Sequence, residues 1–272
     1  MISAPEVVVE RVAAVIGRGQ SLADLAASAA RAADAASVGA VVAATFSNPE
    51  RFPSLAVRVA ASLGLPPSTA AFDVQMACSA YPYALYLAGR LAADLGKKVL
   101  VVDGDVQSPL VDASDHATGK IFSDACTATV VSANPNAVSR FDFLSRHDEA
   151  LTCAAEGPIH MDGFKVFTFV ATEVSKFLGD FLAAVPAPDF FAPHQANPYM
   201  VRQLADALGL KEKLLTIPDE LKNPGSCSVP LALAHNAARL AGKRVLVAGF
   251  GAGYSAAAGV VRLGDGFTGT LL

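Results

Sequence analysis

The sequence predicts an α/β protein of buried strands layered with helices, and two observations carry that expectation. Short β-rich runs alternate with Ala-rich stretches of helical length along most of the chain, the pattern of helices packed on a sheet. One passage also recurs. Cys78-Ser79, an Ala/Leu-rich helix and GKKVLVVDGD are echoed by Cys227-Ser228, a similar helix and GKRVLVAGFG, with Gly96 and Gly242 at equivalent points. The echo suggests two related halves, 1–140 and 141–272. An Ala-rich helix followed by Lys-Val-Leu-Val is common in this class, so the repeat alone leaves duplication open.

Taken in chain order, Ser21 is placed as the N-cap of a helix over SLADLAASAARAADAA, because a serine oxygen can accept from an unpaired N–H of the first turn. Strands follow at GAVVAATF (39–46) and AAFDVQMA (70–77), then a helix over SAYPYALYLAGRLAADLG and a strand at KKVLVVDGDV (97–106). The second part repeats the scheme with DFFAPH (189–194), a helix after Asn197, a helix after Cys227 and KRVLVAGF (243–250). Residues 133–164 are the least periodic and read as a bridge between halves or an elaboration near the site.

With 272 residues and 53% hydrophobic content, the chain can bury a large core. Charges, glycines and prolines interrupt every apolar run before the roughly 18 residues of a spanning helix, which argues for a soluble protein with no membrane partner. Glu6, Glu10 and Arg11 within the first apolar stretch do not suit a secretory signal, so the cytoplasm is the expected location. Four separated cysteines without a CxxC pair read as reduced thiols. A net charge of −4, no basic cluster and no Trp give no footprint for nucleic acid. No metal-ligand spacing or cofactor motif is recognised.

Cys78 ends a strand-like run and opens a helix. There the helix dipole and unpaired N–H groups favour an anion and lower a thiol pKa. An isolated cysteine is otherwise a small buried hydrophobe, and Cys126, Cys153 and Cys227 are read that way. His194, in FFAPHQANPYM, stands at a strand end, where catalytic groups often project, although a lone histidine also serves loops as a hydrogen-bonder. Asn223 precedes a Pro-Gly-Ser turn. It is either a turn or cap residue or an amide donor for an oxyanion. GFGAGYSAAAG (249–259) is a weak match to a nucleotide loop, and the chain ends before the acidic residue such a fold wants. Bare backbone N–H groups beside the thiol are the preferred use of this loop.

ACSAYPYAL, PHQAN, NPGSCSVPLAL and GFGAGYSAAAG, in this order, resemble the ketoacyl-acyl-carrier-protein synthase III family of condensing enzymes. The resemblance runs from about Ser21 to Arg262 and includes DASDHATGKIFSDACTATV and MDGFKVFTFV. It implies a thiolase-like fold of two similar βαβαβαββ halves in five layers, α-β-α-β-α, and a homodimer. It further implies that Cys78 is acylated from an acyl thioester, carried by coenzyme A or an acyl carrier protein. His194 and Asn223 would then support decarboxylation of a malonyl-type thioester, whose carbanion attacks the acyl carbonyl. By the same resemblance the N–H of Cys78 and one from Gly251 or Ala252 hold the oxyanion, and Phe250 stands beside the cysteine.

The chain also departs from the family. Members carry, well before the cysteine, a segment with a Trp and arginines that holds coenzyme A; this chain has no Trp and a shorter stretch there. His116 replaces a phosphate-binding arginine and Tyr199 a basic residue associated with carrier-protein contact; these two and Asn197 are the expected substrate-binding positions. Ala80 and Ala252 stand where glycines are usual. Two other functions remain open: acyl transfer to an alcohol or amine with His194 as base, and a catalytically silent subunit of a heterodimer.

Overall fold

A computed structural model describes residues 1–35, 37–112, 114–115, 118–155 and 157–272. In chain order the first elements are β1 (Ile2–Ile16), α1 (Leu22–Ala32), β2 (Ala40–Ala44), α2 (Leu55–Ser62), β3 (Ala70–Val74), α3 (Ala80–Leu95), β4 (Val99–Asp105) and β5 (Ala125–Ser145). They are followed by β6 (Leu151–Cys153), β7 (Ile159–Met161), α4 (Gly163–Phe169), α5 (Ser175–Ala183), β8 (Phe190–Pro193), α6 (Pro198–Ala207), α7 (Ser228–His235), β9 (Arg244–Gly251) and β10 (Ser255–Leu271). Ser21 caps α1 as expected, its Oγ accepting from Asp24 N at 3.2 Å.

The strand pairings contain the same unit twice. In the first half β3–β2 and β2–β4 are parallel, while β4–β5 and β5–β1 are antiparallel. In the second, a parallel bridge joins Leu214 to Phe191 of β8, β8–β9 is parallel, and β9–β10 and β10–β5 are antiparallel. The end of β5 therefore plays in the second unit the part that β1 plays in the first. Val99–Asp105 of β4 pairs with residues 125–131 of β5, and Ser255–Val260 of β10 pairs with residues 140–145.

Side-chain alternation splits the interior into three cores. Val99 and Val101 of β4, with Val245 and Val247 of β9, face a central core built on Tyr81, Ala84 and Leu85 of α3 and Val229 and Leu233 of α7. Leu100 and Val102 face α1 and α2 on one outside. Leu246, Ala248 and Phe250 face α4, α5 and α6 on the other. The order is helix, sheet, helix, sheet, helix, the five-layer thiolase-like arrangement. Strands buried on both faces read as continuous Val/Leu runs rather than alternating ones, which is why β4 and β9 stand out in the sequence.

Three long strands differ from the sequence expectation. β1 carries Glu6, Glu10 and Arg11, but each has a partner: Asn134 Nδ2 donates to Glu6 at 3.0 Å, Ser132 to Glu10, and Arg11 pairs with Asp34 at 3.3 Å. The supposedly irregular residues after 133 continue β5 to Ser145 before the β6–β7 hairpin. Ser255–Gly259, read as loop, opens β10; a side chain at Gly259 would come within 2.4 Å of the Phe141 ring, so small residues here mark close strand packing rather than a turn.

Candidate active site

Cys78 lies in a short 3₁₀ turn, Ala77–Ser79, between β3 and α3. Ala77 has φ of 41°, a left-handed conformation that a non-glycine residue holds only where its surroundings enforce it. β9 lies close against this turn. A Cβ at Gly249 would stand 2.7 Å from Ser79 Cα and 2.8 Å from Cys78 O, and one at Gly251 would stand 3.2 Å from Cys78 Sγ. The end of β9 thus lies backbone-to-backbone against the cysteine turn. Ser79 and Ser255 hydroxyls, 2.7 Å apart, tie that turn to the start of β10.

Phe250 is buried and meets the His194 ring edge-on, with centroids 5.6 Å apart. His194 follows β8; its N–H donates to Ala248 O at 2.7 Å, and its Nδ1 lies 2.9 Å from Ser228 Oγ at the start of α7. Ser228 Oγ already accepts from Gln195 N at 3.0 Å. Asn223 is buried in the loop before α7: its N–H donates to Ile121 O and its Oδ1 accepts from Gly225 N, both at 3.0 Å. The turn after it, Gly225–Cys227, packs on the cysteine turn. Residues 145 positions apart, Cys78 and Asn223, are thereby brought into one neighbourhood with His194 and the Phe250–Ala252 segment.

The electrostatics correct one expectation. Helix-start placement predicted a lowered thiol pKa, but burial pushes Cys78 up to about 12, helped by the nearby Asp105 charge and opposed by hydrogen bonding from the backbones of Ala252 and Cys78 itself. The sulfur lies inside the protein, where desolvation of a thiolate outweighs the dipole. Burial likewise lowers His194 to about 4, against a smaller opposing pull from the Gly225 backbone. The resting pair is a neutral thiol and a neutral imidazole.

Two buried carboxyls that the sequence reading missed stand behind this centre. Asp103 and Asp105 alternate onto the same face of β4. Asp103 Oδ1 accepts from Ser226 Oγ at 2.5 Å, while Asp105 Oδ1 accepts from Thr45 Oγ1, Phe46 N, Ser47 N and Ser47 Oγ. Burial raises Asp103 well above the usual range and Asp105 to about 6. Their signal was the DGD ending of β4, masked by the apolar run before it.

The remaining candidates are dispersed. Asn197 Oδ1 caps α6 by accepting from Met200 N at 2.8 Å. Tyr199 is largely exposed and stacks on Phe167. His116 lies outside the described residues. Cys126 and Cys227 are buried thiols as expected, but Cys153 is exposed, because its strand β6 forms a two-stranded hairpin with β7 apart from the main sheet.

Fold and site define a thiolase-like condensing enzyme, with a buried cysteine beside histidine, asparagine and a glycine-rich strand end. Residues 72–147 match the family model for 3-oxoacyl-[acyl-carrier-protein] synthase III and residues 186–263 match its C-terminal model. The chain is 32% identical to the β-ketoacyl-[acyl-carrier-protein] synthase III of Rhodospirillum rubrum, covering 90% of this chain and 85% of that one. It is 33% identical to synthase III 2 of Deinococcus radiodurans, covering 85% and 75%. Among solved structures, the Thermus thermophilus synthase III superposes with a TM-score of 0.80 at 30% identity, covering 91% and 86%. A Burkholderia xenovorans 3-oxoacyl synthase reaches 0.88 at 23% identity, covering 99% and 98%, and shows the shared fold. The chain belongs to the β-ketoacyl-[acyl-carrier-protein] synthase III family, and it is a condensing acyltransferase.

Proposed function

We propose that Cys78 accepts an acyl group from a coenzyme A or carrier-protein thioester and passes it to the carbanion released when a malonyl-type thioester loses carbon dioxide. The observation that carries this reading is the packing against the Cys78 turn of the end of β9, Gly249 to Gly251, and of the Gly225–Cys227 turn that follows Asn223; the two sides bring two sets of donors. The backbone N–H groups of Cys78 and Ala252, which pull the thiol pKa down against burial, serve the oxyanion of the acyl intermediate, the interaction on which such chemistry depends most. His194 and Asn223 form the second set. Ser228 Oγ accepts from Gln195 N and meets His194 Nδ1, fixing the orientation of the imidazole. Asn223 spends its other polar atoms on the fold, and no described residue accepts from its Nδ2. Both side chains then offer an N–H to the enolate oxygen of the decarboxylating thioester.

The first half of the chain supplies the nucleophile in 1–140, and 141–272 supplies His194, Asn223 and the glycine-rich segment. The working form is a homodimer: β3 is an edge strand, and Phe72 on it is 36% exposed. No helix among the described residues is long and apolar enough to cross a membrane. Intact-protein mass spectrometry after incubation with acyl-coenzyme A and acyl-carrier-protein donors checks the first step. One acyl group is expected on the wild type and none on Cys78→Ala; an unmodified wild type with every donor rejects the enzymatic reading.

A further inference from the structure

Gln107, just past the end of β4, is buried to 1% exposure. A glutamine side chain so enclosed is retained only if its amide is satisfied, and its Nε2 donates to two backbone carbonyls, Ser123 O at 2.9 Å and Asn223 O at 3.1 Å. Its own backbone is pinned in turn: Gln107 N donates to Asp124 Oδ1 at 2.7 Å, and Ser108 Oγ donates to Asp124 Oδ2 at 2.6 Å. The turn that Gln107 grips has no slack. Gly225, with φ of 75°, would place a Cβ 3.1 Å from Asp105 Oδ2 and 3.6 Å from Gln107 Nε2. The ends of β4 therefore form a seat for the Asn223–Gly225 turn, reaching it across 116 positions of sequence.

We infer that Gln107 is a positioning residue for Asn223, setting the direction of its Nδ2 donor for the decarboxylation step. Of the remaining Asn223 atoms, N–H goes to Ile121 O, the carbonyl also accepts from Ser123 N at 3.1 Å, and Oδ1 accepts from Gly225 N. Ser123 and Asn223 are thus linked to each other and, through one amide, to β4. The Gly225–Cys227 turn also packs on the cysteine turn, but the cysteine turn has supports of its own, in Ser79 with Ser255 and in its contacts with Gly249 and Gly251, which do not involve Gln107. Loss of the Gln107 amide accordingly loosens the malonyl half-reaction and leaves acylation of Cys78 in place.

The inference rests on Asn223 serving decarboxylation, and the test separates the two. Three variants, Gln107→Met, the isosteric Gln107→Glu and Asn223→Ala, are compared with wild type in two assays: the rate of Cys78 acylation by an acyl thioester, and carbon dioxide release from a malonyl thioester. Both Gln107 variants should lose about tenfold or more in decarboxylation, since small misplacements of positioned groups are that costly, with acylation changed less than about threefold. A parallel fall in both rates, no fall in either, or failure of both variants to fold assigns Gln107 a framework role and overturns the inference. An Asn223→Ala variant that decarboxylates at the wild-type rate instead overturns the role given to Asn223, whatever the Gln107 variants do.

Discussion

Cys78 is held as a thiol, and its environment says why. Burial and the Asp105 charge raise it to about 12, and with His194 near 4 no thiolate–imidazolium pair forms at neutral pH. Because the thiolate is the reactive form, alkylation of Cys78 by iodoacetamide should still be accelerating above pH 9; a plateau below pH 8 would contradict this. Asp105→Asn removes the like charge while keeping an acceptor for Thr45 and Ser47, and it should shift the alkylation profile to lower pH. The same residue shows where sequence reasoning stopped. Position at a helix start was legible in ACSAYPYAL, but the depth of the sulfur depends on β9 and β4, which are distant in sequence and unmarked by any local pattern.

Strands β9 and β10 act as the wall of the nucleophile turn, and their glycines are placed by contact rather than by turn geometry. Gly249 abuts the backbone of Cys78 and Ser79, so Gly249→Ala should push the two apart. Such overpacking typically costs about 1–3 kcal/mol, and the expected result is a lower melting temperature together with slowed acylation of Cys78. Unchanged stability and rate would remove the wall from the account. GFGAGYSAAAG was legible as a glycine-rich element near the thiol, yet its division into a strand end, a turn and a second strand was not, since small residues signal loops and tight sheet packing alike. Likewise β4, β8 and β9 were visible as apolar runs, whereas β1 and β5 hid because their charged and polar residues find partners across the sheet or, for Arg11, at Asp34 after α1.

The whole molecule joins two copies of one strand pattern, and the Cys78 turn of the first packs against β9 and the Gly225–Cys227 turn of the second. That duplication was suggested by the repeated Cys-Ser–helix–Gly-Lys pattern and is explicit in the pairing order, which no single-chain periodicity encodes. One edge of the sheet remains open at β3. Its only charged residue, Asp73, turns to accept from Leu55 N and Ala56 N at the start of α2, leaving an edge without the charges that normally block strand addition. If the proposed homodimer pairs through this edge, Phe72→Glu should convert it to monomers in sedimentation; an unchanged dimer would place the interface elsewhere. The chemistry itself is decided by discharging purified acyl-Cys78 protein with a malonyl thioester. One carbon dioxide released and one 3-oxoacyl product formed for each acyl group lost from the cysteine is the predicted result. Loss of the acyl group to water, an alcohol or an amine without carbon dioxide would contradict condensation.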